Sequence, residues 1–264
     1  MKNVLLQSDD DKLLLAKTED LIKQCSKTYS PAYSMFLDER QCMISETVLR
    51  KYGDIQYNFW GGYENAQRKI LCVYNQYDCD YLNDYYSDNL TEEIPIKCLT
   101  FTYRKADVLT HRDFLGSLMG MRLKRETIGD IVVSEGKTQL FATETASKLI
   151  CSSVAKIGKT GVKICDDKPF DIPVVQQFDT ISGTVASLRA DSVVSLALRM
   201  SREKTSQIIK NTGVQMNFFP VFSASYEMKC EDVFSVKGYG KFILSEISGI
   251  SKKGRIHITV KKYK

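Results

Sequence analysis

The octapeptide Asp166-Asp-Lys-Pro-Phe-Asp-Ile-Pro173 divides this chain. Each proline removes a backbone donor and biases the residue before it away from the helical region, so neither a helix nor a central strand runs through the segment. The segment therefore reads as a linker between separate domains. The charge pattern agrees with this division. Leu188 to Lys264 holds 14 Lys and Arg against 6 Asp and Glu, whereas the first 187 residues hold 23 against 26. A chain of 264 residues, 43% of them hydrophobic, can bury a core on each side of such a break. A basic block on a slightly acidic body is the electrostatic footprint of a polyanion binder, although charge alone leaves a merely solvated basic surface equally open.

Residues 1–68 read as a mostly helical region. Leu13, Leu14, Lys17, Leu21 and Ile22 follow a 3.6-residue period, with acids early and Lys23 late, until Ser30-Pro31 breaks the pattern. A second helix is expected from Asp38 to Tyr52, ending near Gly53. The aromatic stretch Tyr57 to Tyr63 reads chiefly as a turn packing on the core, with base stacking as the lesser alternative. Residues 69–168 alternate differently. Strands are expected at 69–74 and 96–103, and a helix from His111 to Met121 with Thr110 as N-cap. A hairpin turns at Ser134-Glu-Gly-Lys137, a helix comes next over 143–157, and a strand closes the unit at 161–165. After one extra strand the order is βαββαβ, the ferredoxin-like arrangement. Phe141 aside, its third strand lacks the aromatic signature of an RNA-recognition sheet. Asp78 to Glu93 is acidic and tyrosine-rich, and reads as a loop or short helix or as a protein-interaction segment.

Residues 169–181 read as linker and 182–264 as a third domain. A helix is expected from Ser187 to about Met200, with Ala190, Val193, Val194, Ala197 and Leu198 inward. Ser201 caps a second helix, Arg202 to Asn211, which Gly213 ends as a left-handed stop. Short strands are expected after it, at 214–217, 232–236, 240–244 and 255–260. Two helices on a small sheet form a platform whose cations reach phosphates while the helix N-termini donate N–H groups. The fold class expected is thus α+β and multidomain.

The run Leu188-Arg-Ala-Asp191, Ser201-Arg-Glu-Lys204, Ile209, Gly213-Val214, Asn217 and Glu231-Asp-Val233 resembles the S4 RNA-binding domain, with Ala190 where that domain usually has leucine and Thr205 where it often has alanine. Upstream, Leu109 to Gly120 with Lys124-Arg125 and Ile128-Gly-Asp-Ile131 resembles the central motif of the YlmH family of bacterial S4-domain proteins. The resemblance covers roughly residues 69–264. It implies a three-part cytoplasmic protein that binds structured RNA, ribosomal RNA or tRNA. It also implies association with the large ribosomal subunit, a part in rescue of stalled translation, and genes near those of cell division. On this reading Arg189, Arg202, Lys204, Lys210, Lys237, Lys241 and Arg255 contact phosphates, Ser201 and Asn217 hydrogen-bond beside them, and His111, Arg112, Lys124 and Arg125 add contacts from the middle domain.

No run of 18 apolar residues is present, and the first residues lack a cationic start followed by an apolar stretch. Eight cysteines without a Cys-x-x-Cys pair, and only two histidines, argue against structural zinc and for free thiols in a reducing cytoplasm. Phosphate-loop, dinucleotide and nucleophile-elbow patterns are absent, so no cofactor, small-molecule substrate or membrane partner is implied. The alternative is an RNA-modifying enzyme. His111-Arg112-Asp113 approaches the His-Arg-Leu-Asp motif of pseudouridine synthases, but the leucine is missing.

Overall fold

In the computed structural model, which describes residues 8–75, 94–166, 168–174 and 177–263, the chain opens on α1 (Asp9–Thr28). Ser8 caps it in a reciprocal box with Asp11, three aspartates face the positive end of the helix dipole, and Tyr29 turns left-handed at φ 50° before the Ser30-Pro31 break. Asp38 and Gln41 form the same box on α2 (Glu39–Leu49). Arg40 ties the two helices together with paired 2.7 Å bonds to the buried Asp11 carboxylate.

The first 68 residues are not mostly helical. They also form β1 (Ala32–Leu37) and β2 (Ile55–Trp60). β3 (Lys69–Asn75), expected as an extra strand of the middle domain, lies between them in an antiparallel sheet ordered β1-β3-β2. A boundary at 68/69 would therefore cut this sheet. Its alternating residues bury both faces. Leu71 and Val73 meet Ile22, Cys25, Val48 and Leu49 of the helices, while Ile70 and Cys72 point the other way.

The expected βαββαβ order then appears: β4 (Ile96–Thr102), α3 (His111–Gly120), β5 (Ile128–Ser134), β6 (Lys137–Thr143), α4 (Glu144–Ser153), a two-residue-strand hairpin β7 (Lys156–Ile157) and β8 (Thr160–Gly161), and β9 (Lys163–Cys165). The sheet order β5-β6-β4-β9 is that of a ferredoxin-like fold. Leu99, Phe101, Leu140 and Ala142 pack under Phe114, Leu118, Ala146 and Ile150 of the helices. The opposite face does not meet solvent. Phe141 is 1% exposed, in one cluster with Phe36, Ile70 and Cys72 of the first sheet, and it stacks on Tyr63 at 5.3 Å. The two sheets approach closely because Gly129 stands where a Cβ would lie 2.6 Å from the Phe36 ring. Helices, sheet, sheet and helices make four layers of one unit, Met1–Val174.

The proline segment completes that cover instead of serving as a free linker. Gln139, fully buried, donates to Thr100 Oγ1 and the Pro169 carbonyl, and accepts from the Asp171 and Ile172 N–H groups at 3.0 Å. Phe170 lies 4.6 Å from Tyr63, and Lys137 pairs with Asp171. The supposed linker is thus structured at both ends, since Phe178 already begins a strand.

The second unit, Val175–Lys264, has β10 (Phe178–Val185), α5 (Ala190–Leu198), α6 (Arg202–Thr212), β11 (Val214–Met216), β12 (Phe219–Val221), β13 (Val233–Val236), β14 (Gly240–Ile250) and β15 (Ile256–Tyr263). The antiparallel sheet runs β10-β15-β14-β13-β11-β12. α5 and α6 cover one face of it, where Val193, Val194 and Ile209 meet Phe234, Phe242, Leu244, Ile258 and Val260. Gly213 ends α6 at φ 73° and ψ 158°, a positive φ but not the left-handed helical stop expected. The acidic segment Asp78 to Glu93 lies outside the described residues. No described helix is long and apolar enough to cross a membrane.

Candidate nucleic-acid interface

In the second unit a buried carboxylate organises the cations. Asp191 sits in the first turn of α5, 7% exposed, and receives Arg202 Nη2 at 2.8 Å and Arg189 Nε at 3.3 Å. Burial alone would raise its pKa, but the hydrogen bonds and charges of Arg202 and Arg189 outweigh that and hold it below the usual carboxylate range. Both arginines remain about half exposed at their side chains, 46% and 50%. Each keeps donors for a second partner, because a guanidinium carries five.

Arg202 also lines a groove of about 340 Å³ beside β10, α5 and the α5–α6 connection. Arg199, Arg202 and Arg255 enter it with Ser192, Ser195 and Thr184, and no carboxylate is among its lining residues. Arg255, just before the neighbouring strand β15, is anchored to β10 by bonds from its Nε to Thr184 Oγ1 at 3.1 Å and from its Nη2 to the Thr184 carbonyl at 2.7 Å. Arg199 holds the left-handed position that ends α5, at φ 52°. Two fixed guanidiniums and a third exposed one, with hydroxyls between them, suit an anion with several acceptor oxygens.

The sequence missed Arg199. A cation in the last turn of a helix reads as a dipole partner, and only the tight α5–α6 connection turns it into the groove. Of the residues expected, the structure gathers Arg202 and Arg255 here and places Arg189 on the shared carboxylate. Ser201 caps α6 by accepting from Lys204 N at 3.3 Å. Lys204, Lys210 and Lys237 are exposed but do not line the groove. Lys241 stands on the other face of the sheet, since its neighbour Phe242 points into the core.

Three expectations are corrected by the geometry. Asn217 does not present its amide to a ligand. At φ 47° it makes a turn, donating from Nδ2 to Asp232 at 2.8 Å and accepting from Val233 N at 2.9 Å. The N-terminus of α5 does not offer its amides either, because Ala190 and Asp191 donate to the Tyr226 and Ala224 carbonyls. Arg125 is built into the first unit. It donates to the Ile128 and Gly129 carbonyls, and burial with the neighbouring Arg68 lowers its pKa to about 10. Beside it Asp130 accepts from Tyr63 Oη at 2.8 Å, Gln67 N at 2.7 Å and Arg68 N at 3.1 Å, which locks the loop before β3 onto β5.

At the start of α3, partial desolvation and the charge of Arg125 push the His111 pKa below its usual range, which disfavours its charged form. Arg112 and Lys124 are exposed, the latter 3.9 Å from Glu126. Asp113 closes the capping box with Thr110, accepting from its N at 2.8 Å and its Oγ1 at 2.6 Å, and those bonds lower its pKa.

A two-sheet α+β body joined in sequence to a basic helix-and-sheet module defines a multidomain protein. Its middle part matches, over residues 91–170, the family model described as "Putative RNA-binding domain in YlmH", and residues 11–77 match the model "YlmH, N-terminal". The ribosome-associated protein quality control protein P2 of Bacillus subtilis (strain 168) is 30% identical over 260 residues, 97% of this chain and 96% of that one. The chain belongs to the YlmH family. A solved structure described as cell division protein ylmH from Streptococcus pneumoniae shares the fold at a TM-score of 0.50 and 20% identity, covering 62% of this chain and 94% of that one. These two matches end at residues 77 and 170, ahead of the basic unit.

Proposed function

We propose that this chain is a non-catalytic, cytoplasmic RNA-binding protein of the ribosome. It recognises structured RNA, ribosomal RNA or tRNA on the large subunit, and acts in rescue of stalled translation. Its second unit is then an S4-type module that supplies most of the affinity. The observation that carries the reading is the groove where Arg199, Arg202 and Arg255 converge with no lining carboxylate. Phosphate contacts of this kind position a protein on RNA without reading sequence. The quality-control relationship supports the ribosomal part of the proposal. In the first unit one face of each large sheet is closed against the other sheet, and Arg112 and Lys124, the cations expected to touch RNA there, are exposed. The non-catalytic reading rests on Asp113, the residue nearest to a catalytic aspartate motif, being held in a helix cap.

The test is a filter-binding titration against structured ribosomal RNA across a salt series. Each of Arg199→Ala, Lys204→Ala and Arg255→Ala is expected to weaken binding and to lower the salt slope by roughly one. Unchanged affinity and slope in all three variants would overturn the assignment. Arg202→Glu is a poor probe, because it sets a second carboxylate against the buried Asp191. For the enzyme alternative the test is base analysis of RNA from cells lacking the gene. A missing modified nucleotide that wild type restores and Asp113→Ala does not would displace the non-catalytic reading.

A further inference from the structure

The second sheet has a face that the helices do not cover. Along β15, Ile258 and Val260 enter the core, so His257, Thr259, Lys261 and Tyr263 point the other way. On β14, Phe242 and Leu244 are buried, and Lys241 and Ile243 share the outer side. Register completes the surface. Phe178 on β10 stands opposite Tyr263, and Thr180 stands opposite Lys261.

The rings and ammonium groups on this face form one chain. Phe178 and Tyr263 meet edge-on with centroids 4.9 Å apart. Lys241 Nζ lies 5.0 Å from the Tyr263 centroid and 5.0 Å from that of Phe218. Lys261 Nζ lies 5.6 Å over Phe178. All five residues are half-buried, so the rings are held by their neighbours yet reached by solvent. Phe218, Lys241, Tyr263, Phe178 and Lys261 thus set two ammonium groups against three rings, and the carboxylate of Glu246 lies farther along the same face, accepting from Thr259 Oγ1 at 3.4 Å.

We propose that this outer sheet face binds a single-stranded RNA segment, stacking bases on Tyr263, Phe178 and Phe218 and setting phosphates against Lys241 and Lys261. The inference rests on the RNA-binding reading and adds a second, chemically different surface to it. Charge complementarity selects a polyanion, and the ring planes select one whose bases are unstacked and free to lie on them. A duplex keeps its bases in its own stack and offers this face only phosphates. Each stacked base contributes about 1–3 kcal/mol, which corresponds to roughly 5- to 150-fold in affinity, with little dependence on base identity. The groove at Arg199, Arg202 and Arg255 lies at the other end of edge strand β10, beside α5, and none of the five residues of the outer face lines it, so the two surfaces can be varied independently.

The test uses the full chain with a blunt RNA hairpin and the same hairpin carrying a uridine tail of about ten nucleotides, within the usual site size of such surfaces. Wild type is expected to bind the tailed form at least roughly tenfold more tightly. Phe178→Leu with Tyr263→Leu keeps strand-compatible apolar side chains while removing two ring planes. This pair should erase the gain from the tail and leave blunt-hairpin affinity unchanged, and Tyr263→Trp should preserve the gain. Loss of both affinities together, or no gain from the tail in wild type, overturns the proposal while the groove reading stands. Unchanged tail binding in the leucine pair also overturns it. So does binding of anionic lipid vesicles, lost in the leucine pair, without any gain from the tail. If wild type bound neither RNA, the RNA-binding reading itself would fall.

Discussion

The sheets of the middle and last domains each keep helices on one face, and the chain treats their other faces in opposite ways. In the middle domain the second face is closed by the first sheet, by Phe170 and by the Pro169–Ile172 backbone bonded to Gln139. In the last domain the corresponding face is left to lysines and aromatic rings. Topology alone does not tell a sheet covered on both faces from one with an open face. A ferredoxin-like sheet invites comparison with RNA-recognition domains, yet here Phe141, its one aromatic residue in the expected place, is a core residue.

The sharpest way to break this contrast is to truncate one ring on each sheet. Phe141→Ala should destabilise the first unit by about 3–5 kcal/mol, and Tyr263→Ala should cost the second less than about 1 kcal/mol. Urea unfolding followed by probes in each unit reads both, and similar costs would mean that the second face is covered too. Next in size, Asp130→Ala leaves Tyr63 Oη and two backbone N–H groups without their acceptor, at about 2–3 kcal/mol in the same assay. Gln139→Leu removes the acceptor of Asp171 and Ile172 and should cost about 1–3 kcal/mol. Faster amide exchange at those two positions would mark local opening of the covered sheet.

A smaller effect, about 1 kcal/mol, is expected from Asp191→Asn, because its arginine partners are half exposed. Its sign with pH is fixed by the lowered pKa. The carboxylate contribution is complete above the unfolded-state value and is lost as pH falls through the folded one, so wild type and variant should converge in acid. Parallel acid unfolding curves would contradict the pairing.

Elements with strong local signals were legible in the sequence. Thr110, Ser201 and Asp38 mark helix starts, and the Ser134 to Lys137 turn marks a hairpin, because caps and turns are chosen by neighbours in sequence. β1 and β10 were not legible. One comes after a proline and the other is built from Thr, Ser and Gly, so neither alternates strongly. The layering of the first unit was hidden for a different reason. It depends on Gln139, Asp130 and Arg68, polar residues that read as surface until their distant partners are known. The same blindness made Arg125 and Asn217 look like ligand contacts, whereas Arg202 and Arg255, singled out by one local motif and one basic cluster, do line one groove.

Arg199 stands where a helix usually hands over to glycine. An L-residue there costs about 1–2 kcal/mol, which glycine does not incur. Glycine would therefore make the module more robust, yet the chain holds an arginine at the mouth of its cationic groove. Arg199→Gly is thus expected to raise the melting temperature of this unit while loosening its hold on RNA. If the groove binds RNA as proposed, durability and ligand affinity make opposite demands on this one backbone position. A screen for thermal tolerance alone would discard the side chain on which the proposed recognition depends.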